Sequence, residues 1–189
     1  MSGLEARRLV EFHDGGSAAP ASELWHAIED NHRHNRLLWD EEDLARRRSV
    51  PDSEIAKNKR AIDAYNQKRI DAIERIDEEL FGCFSEFKAK PDARLNSETP
   101  GAMIDRLSIL SLKIHHMRLQ TERKDVDRAH IESCRAKLER LTEQRTDLAA
   151  CLDRLLDECA RGEARFKIYR QFKMYNDPAL NPAIYGEKK

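Results

Sequence analysis

Residues that interrupt helices stand far apart in this chain. Between Pro51 and Pro91 the only glycine or proline is Gly82, and between Gly101 and Gly162 there is none. Proline cannot continue a helix interior and glycine weakens one, so these spacings allow long unbroken helices. The remaining prolines and most other glycines cluster in short stretches at the boundaries of such runs. The sequence therefore predicts a chain of long helices with brief connections.

The composition points to the same all-α fold class. About half of the 189 residues are Ala, Glu, Lys, Leu or Arg, which is typical of long helices and coiled coils. Only three valines and four threonines are present, although β-branched residues favour strands. The length is that of one domain. We expect one helical domain over residues 22–189, preceded by a flexible or loosely docked segment at residues 1–21.

Capping residues and apolar spacing set the expected helix boundaries. The sequence predicts helices at about residues 22–48, 51–87, 100–122, 127–161 and 163–174, followed by an irregular tail. The apolar pattern lapses over residues 120–127, which favours a turn there, although one continuous helix over residues 100–161 is the alternative. Short connections predict that the first four helices form an elongated antiparallel four-helix bundle and that the fifth is a C-terminal capping helix.

Charge and cysteine content exclude several classes of protein. The formal net charge is -1 and the pI is about 6.7, so nucleic acid is a disfavoured partner. No apolar run reaches the roughly 18 residues of a transmembrane segment, and residues 1–21 lack the apolar region of a secretory signal. No C-x-x-C pair occurs, so we expect neither a metal nor another cofactor, and four free thiols in a reducing cytoplasm: Cys83, Cys134, Cys151 and Cys159.

Polar residues interrupt the apolar seams of the first two helices. If these helices form an antiparallel hairpin that turns near residue 50, Asn35 lies opposite Asn66. The same register places His32 opposite Arg69. The third helix brings His116 close to this level. The sequence therefore predicts a polar layer of five residues: His32, Asn35, Asn66, Arg69 and His116.

The predicted polar layer has three interpretations. Buried polar groups are costly unless they are hydrogen-bonded, so the first is a satisfied layer that fixes the register of the helices. The second is a site for a small ligand or anion, in which Arg69 and Asn66 donate hydrogen bonds and His32 acts as an acid or base. The third is a metal site built on Glu29 and His32, but Glu29 lies off the seam and the match is poor. The first interpretation is favoured.

A second polar cluster is expected nearer the other end of the bundle. Asp105 and Arg106 open the third helix, at the level of Arg145 on the fourth. The spacing favours an ion pair between Asp105 and Arg145 that closes the bundle end, rather than a binding site.

Aromatic residues recur at three-residue spacing near the ends of the second and fourth helices. Antiparallel register brings these ends together, so the aromatic residues are predicted to pack at one end of the bundle: Phe81, Phe84, Phe87, Phe166, Tyr169, Phe172 and Tyr175. Basic residues alternate with the later rings, a pattern that can bind single-stranded nucleic acid. An amphipathic capping helix with a solvated basic face is the favoured interpretation.

Three separated sequence motifs resemble those of a bacterial family classed as a domain of unknown function in the four-thousand-two-hundred series. The first is HNRLLW at residues 34–39, followed by EED at 41–43. The second comprises LNSETPG at 95–101, IDRLSI at 104–109 and KIHH at 113–116. The third comprises QFKMYNDP at 171–178 and LNP at 180–182. The resemblance covers about residues 24–185 and implies an all-helical fold, with no activity, cofactor or catalytic residue attached to it.

The same resemblance implies a cell-envelope context, because members are often encoded near genes for envelope glycans and lipopolysaccharide. We expect a non-enzymatic helical scaffold or accessory protein with an unidentified protein partner, and self-association is one form this could take. The alternative is an enzyme or binding protein for a small phosphate- or sugar-bearing molecule, acting at the predicted polar layer. The sequence holds no recognisable nucleophile–base pair, so it leaves open whether the protein is an enzyme.

Overall fold

Helices dominate the computed structural model, which describes residues 4–186. Its α-helices, in chain order, are α1 (Ala6–His13), α2 (Glu23–Leu44), α3 (Asp52–Phe84), α4 (Pro100–Thr121), α5 (Arg128–Ala160) and α6 (Pro182–Tyr185). The short strand β1 (Arg94–Leu95) lies between α3 and α4, β2 (Ala164–Arg165) follows α5, and a 3-10 helix spans Met174–Asn176. The predicted all-α class is therefore confirmed.

Side-chain caps begin three of the long helices. The Oγ of Ser22 accepts a hydrogen bond from the N–H of Trp25 at 3.3 Å at the start of α2. Thr99 caps α4 in the same way, with proline at the first helical position. The Oδ1 of Asp127 accepts from the N–H of His130 at 2.7 Å, which satisfies a donor at the start of α5. Residues 122–127 lie outside any helix, so α4 and α5 are separate helices joined by a turn.

Helix α4 lies at the centre of the packing, in contact with α1, α2, α3 and α5. Helix α2 packs chiefly against α3, and α4 packs chiefly against α5. Burial of one large apolar side chain stabilises a fold by about 1.5–3 kcal/mol. The most deeply buried of these side chains come from α1 to α5: Leu9, Ile28, Ile76, Leu80, Ile104, Leu107 and Leu152.

Helix α1 packs into the core, which corrects the expectation of a flexible or loosely docked N-terminal segment. Ala6 and Leu9 are 0% exposed, and His13 is 6% exposed. The N–H of Ala6 donates to Asp153 Oδ1 at 2.8 Å, which fixes the start of α1 against α5. The buried residues of α1 recur at helical spacing, so even this short helix has a face that it can bury. Residues 1–3 of the expected segment lie outside the described residues.

Residues 163–174 do not form the expected capping helix. Instead β2 pairs in parallel with β1, and residues 166–173 continue without regular structure. Ala164 and Phe166 are buried whereas Arg165 and Lys167 are exposed, so the side chains alternate with the period of a strand. The three-residue spacing of the aromatic residues concealed this shorter period.

Gly162 reverses the chain between α5 and β2. Its φ of +69° lies in the left-handed region, and a Cβ at this position would meet the carbonyl oxygen of Lys88 at 2.6 Å. A residue with a side chain is therefore both strained and obstructed there. The reversal lets the N–H of Arg94 donate to the carbonyl oxygen of Glu163 at 2.9 Å, next to the β1–β2 pair.

Candidate functional site

A buried carboxylate joins α2 to α4. The Oδ1 of Asp105 accepts hydrogen bonds from Asn31 Nδ2 and from Asn35 Nδ2, each at 2.9 Å. Asn31 is 0% exposed, Asn35 4% and Asp105 7%. A carboxylate this far from water is tolerated only when its oxygens are hydrogen-bonded. The two amides therefore hold the charge of Asp105 in place and, through it, hold α2 against α4.

Ser108 extends this arrangement by one turn of α4. Its Oγ accepts from Asn35 Nδ2 at 3.0 Å and lies 2.9 Å from His32 Nδ1. Burial, with a smaller contribution from the charge of Arg36, lowers the pKa of His32 to about 4. His32 is therefore neutral near pH 7. We call the connected set the Asp105 network, and it has five members: Asn31, His32, Asn35, Asp105 and Ser108.

Two residues of the predicted polar layer approach the network from α3. Arg69 Nε lies 3.8 Å from Asp105 Oδ1, is itself buried, and has no hydrogen-bond partner among the described residues. Arg69, Asn66 and Asn35 line a cavity of about 310 Å³. The structure thus brings three of the five predicted residues to one cavity, which we call the Arg69 cavity.

The fifth predicted residue, His116, lies elsewhere. Its ring stacks on Trp39 with the centroids 4.3 Å apart and the planes 8° from parallel. The pKa of His116 lies below its usual value, chiefly because the ring is removed from water. Both rings, together with Met117 and Leu141, line a groove of about 830 Å³ between α2, α4 and α5. His116 therefore lines a different cavity from Asn66 and Arg69, although Trp39 lines both.

The expected ion pair between Asp105 and Arg145 is wrong. Arg145 Nη1 instead donates to both carboxylate oxygens of Asp14, each at 2.8 Å. Arg106 donates to Glu98, with the shortest contact at 2.7 Å. Asp14 lies just after α1, a segment that the sequence interpretation had left out of the packing. Docking of α1 supplies Arg145 with its partner and leaves Asp105 to the network.

The aromatic residues predicted at one bundle end divide into two groups. The rings of Phe81 and Phe166 meet edge to face at 6.0 Å. Tyr169, Phe172 and Tyr175 are 66%, 86% and 63% exposed, so they do not join this packing. The remaining four line a cavity of about 350 Å³: Phe81, Phe84, Phe87 and Phe166.

A further cavity, of about 510 Å³, lies between α1, α2 and α4. We call it the His13 cavity, because His13 and His32 both line it, stacked with ring centroids 4.8 Å apart. Both ring nitrogens of His13 are buried and have no hydrogen-bond partner among the described residues. Burial, with smaller contributions from the charges of His32 and Arg145, lowers the pKa of His13 to about 3.

Sequence reasoning missed His13 because residues 1–21 had been set aside as loosely docked. One signal was present: Ala6, Leu9 and His13 recur at intervals of three and four residues, which places them on one face of a helix. A histidine on the buried face of such a helix was the observation that would have identified it.

Two features are absent from residues 4–186. Within that range, no group of three or more His, Cys, Asp or Glu side chains is arranged to hold a metal ion. Nor does any helix there combine the length and apolar character needed to cross a bilayer. The cysteines are free thiols, two of them exposed and two buried: Cys83, Cys151, Cys134 and Cys159.

The described residues define an all-α protein in which long helices surround a hydrogen-bonded polar network with cavities beside it. The chain belongs to the family DUF4254, whose description is a protein of unknown function and which matches residues 25–168. This match confirms the family resemblance and covers the first two motifs, whereas the third motif, at residues 171–182, lies outside the matched range. A search of curated proteins and a search of solved structures found no match. The matched range includes the Asp105 network but excludes α1 and the residues after 168.

Removal of the Asp105 carboxylate should destabilise the protein. The Asp105→Ala variant leaves the amides of Asn31 and Asn35 buried without their shared acceptor. We expect the free energy of unfolding to fall by about 2–4 kcal/mol, measured by urea denaturation. Arg106→Ala is the matched control on the same helix, because its exposed ion pair with Glu98 contributes at most about 1 kcal/mol. Equal losses in the two variants would contradict this account of the network.

Acid should destabilise the protein through His13. The pKa is about 3 in the folded protein and about 6.5 in the unfolded chain. The unfolded chain therefore binds the proton first, so the free energy of unfolding decreases as the pH falls from about 6.5 toward 3. The His13→Phe variant keeps a ring but does not titrate. As the pH falls from about 7 to about 4, the free energy of unfolding of His13→Phe, measured by urea denaturation, should rise by about 3 kcal/mol relative to that of the native protein.

The control for this pH dependence is His26→Gln. His26 lies on the surface of α2, with 59% of its side chain exposed. The difference in the free energy of unfolding between His26→Gln and the native protein should stay constant over the same pH range. A His13→Phe difference that is equally flat would show that His13 does not lose its proton affinity on folding.

Proposed function

We propose that the protein is a non-enzymatic helical scaffold or accessory protein that binds a protein partner through residues 172–186, called here the tail. One observation supports this most directly: large apolar side chains of the tail are 40–86% exposed. Soluble chains rarely leave such residues together in water unless they form an interaction surface. They are spread over the length of the tail: Phe172, Met174, Tyr175, Leu180, Ile184 and Tyr185.

Hydrogen bonds within the tail give it a defined shape. Asn181 Nδ2 donates to the carbonyl oxygen of Tyr175 at 2.7 Å, and Asn181 Oδ1 accepts from the N–H of Ala183 at 2.9 Å. Asp177 Oδ1 accepts from the N–H of Ala179 at 2.8 Å. A segment that is already shaped loses less conformational entropy when it binds. This favours the tail as a recognition element.

One basic residue anchors the start of the tail to the helices. The guanidinium of Arg170 donates to the carboxylates of Glu74 and Glu78 on α3. A planar guanidinium that meets two carboxylates fixes direction as well as position. The ion pairs therefore support a role in which α3 holds the tail at one place while its apolar side chains meet a partner.

The scaffold role includes the elongated antiparallel four-helix bundle expected from the sequence. Two contacts between α2 and α3 support it. Arg75 donates to Asp30 at 2.7 Å, and Asn58 donates to Glu41 at 2.7 Å. Partners on α3 thus move toward its start as positions on α2 move toward its end, which is the pattern of an antiparallel hairpin.

The proposed setting is the bacterial cytoplasm, beside the assembly of cell-envelope glycans or lipopolysaccharide. Its support is the family resemblance, which implies that members are often encoded near genes for those products. Gene neighbourhood is an association and identifies no partner. The partner in this proposal is a second copy of the chain or another protein of that setting.

The tail proposal predicts a specific cross-link. A photoreactive phenylalanine analogue placed at Tyr175 in living cells should give one discrete adduct, whose mass identifies a second copy or another protein. Phe172→Ser with Tyr185→Ser should abolish that adduct, because they remove apolar area on either side of the probe. Circular dichroism should stay unchanged, since both side chains are exposed.

Leu44→Ser with Leu119→Ser is the matched control for the tail variants. Both leucines are exposed on the helical body, at 39% and 46%, so the change has the same chemistry away from the tail. The adduct should persist in this control. No discrete adduct from Tyr175, or equal loss in the control, would contradict the proposal.

A second candidate function is binding of a small phosphate- or sugar-bearing molecule at the Arg69 cavity. The observation that favours it is the buried Nε of Arg69, which has no hydrogen-bond partner among the described residues. Asn66 lines the same cavity and carries amide donors, whereas the Nδ2 of Asn35 is already engaged with Asp105 and Ser108. A phosphate oxygen or sugar hydroxyl placed there would satisfy the Arg69 donor.

The second candidate has its own test. Arg69→Met keeps most of the side-chain length but removes every donor. The native chain should bind glucose 1-phosphate saturably in isothermal titration calorimetry, and Arg69→Met should weaken that binding about tenfold or more. Lys113→Met is the control, because Lys113 lines the groove of Trp39 and His116 instead. Unchanged binding in Arg69→Met would remove this candidate.

A further inference from the structure

The His13 cavity contains a polar side chain that the protein leaves without partners. His13 is 6% exposed, and neither Nδ1 nor Nε2 has a hydrogen-bond partner among residues 4–186. Buried polar groups are nearly always hydrogen-bonded, because a lost hydrogen bond in the interior is costly. The ring lines a cavity of about 510 Å³, which lies in the size range of small-molecule sites. The two nitrogens therefore point to a bound molecule.

The chemistry of His13 restricts what that molecule can be. Burial keeps the imidazole neutral near pH 7 by lowering its pKa to about 3. A neutral imidazole has one donor nitrogen and one acceptor nitrogen. The two nitrogens point in diverging directions, so one group can partner only one of them. A hydroxyl group suits whichever nitrogen faces the cavity, because it can donate to the acceptor nitrogen or accept from the donor nitrogen. His32 adds a second ring beside the first, with centroids 4.8 Å apart.

Charged residues surround the same cavity, and several of them are paired. Arg33 and Asp14 both line it, but Arg33 is paired with Asp30 at 2.7 Å and the Asp14 carboxylate is held by Arg145 at 2.8 Å. These four charges are thus engaged with one another.

Two cations on the cavity wall remain. Arg36 and Arg118 line the cavity and form no ion pair with another described residue, and Glu29 is the remaining carboxylate on the wall. The side chain of Arg36 is near enough to His32 for its charge to lower the pKa of that ring. Two guanidinium groups against the one carboxylate of Glu29 leave the net unpaired charge at the wall positive, which favours an anionic group.

We infer that the His13 cavity binds a hydroxylated phosphate ester of about the size of a sugar phosphate. A ligand hydroxyl meets a ring nitrogen of His13, and the phosphate group meets Arg36 and Arg118. Guanidinium groups suit phosphate because they offer several donors in one plane. This site is a different cavity from that of Arg69, and α1, which lies outside the family match, forms one wall of it.

The two ends of the ligand contribute differently to binding. The hydroxyl end provides specificity, because an analogue without it leaves His13 unpaired. The phosphate end provides charge attraction, which any small phosphate shares. Glucose 1-phosphate carries both groups, glucose only the hydroxyls, and inorganic phosphate chiefly the charge. Comparison of these three probes separates the two tasks.

The test is isothermal titration calorimetry of the full chain with the three probes. The native protein should bind glucose 1-phosphate about tenfold or more tightly than it binds glucose or inorganic phosphate. His13→Phe should raise the Kd for glucose 1-phosphate about tenfold and leave the Kd for inorganic phosphate unchanged. Arg36→Gln should weaken both phosphate probes. Arg106→Gln is the control and should change neither, because Arg106 is paired with Glu98 and does not line the cavity.

A second measurement does not depend on the variants. Histidine side-chain NMR of the native protein should show the His13 nitrogens shifting with glucose 1-phosphate, while the exposed His26 ring stays unchanged. Unmoved His13 signals, no saturable binding of glucose 1-phosphate, or an unchanged Kd in His13→Phe would each overturn the inference. If Arg69→Met weakens the binding of glucose 1-phosphate and His13→Phe leaves its Kd unchanged, the inference is also overturned. That result would support the Arg69 cavity instead. The tail cross-link is unaffected by any of these outcomes.

Discussion

The buried carboxylate of Asp105 is the constraint on which the helical packing depends. Apolar side chains bring α2 and α4 together, but apolar contact alone tolerates sliding between helices. The hydrogen bonds from Asn31 and Asn35 do not tolerate it, because a shift of one turn would leave a charge buried without donors. Ser108 repeats the linkage one turn along α4. The network thus fixes the register of the two helices that surround the candidate sites.

The same network separates two cavities of different character. On one side, Asn35 faces the Arg69 cavity, where α3 contributes Arg69. On the other, His32 lies against Ser108 and lines the His13 cavity beneath α1. Docking of α1 is what encloses the second cavity, and it also gives Arg145 its carboxylate partner, Asp14. A few polar residues on α2 and α4 therefore serve the register of the helices and the walls of both cavities.

Local signals in the sequence predicted the four long helices, α2 to α5, and part of the site. Caps such as Ser22 and seam positions such as Asn35 depend on neighbours three or four residues away, which the sequence displays directly. The partners of Arg145 and of His13 depend on where α1 docks, and hairpin register carries no information about an extra helix. The strand at Ala164 was missed because its alternation is too short to compete with the aromatic spacing around it. Long-range docking and very short elements are thus what the pattern could not supply.

The central claim is that the Asn35–Asp105 hydrogen bond links α2 to α4, and a double-mutant cycle tests it most directly. Asn35→Leu, Asp105→Leu and the double variant would be compared with the native chain in urea denaturation. Residues that share a buried hydrogen bond are energetically coupled. The two single variants should therefore lose, in sum, about 1.5–3 kcal/mol more of the free energy of unfolding than the double variant loses. Losses that add within about 0.5 kcal/mol would contradict the claim.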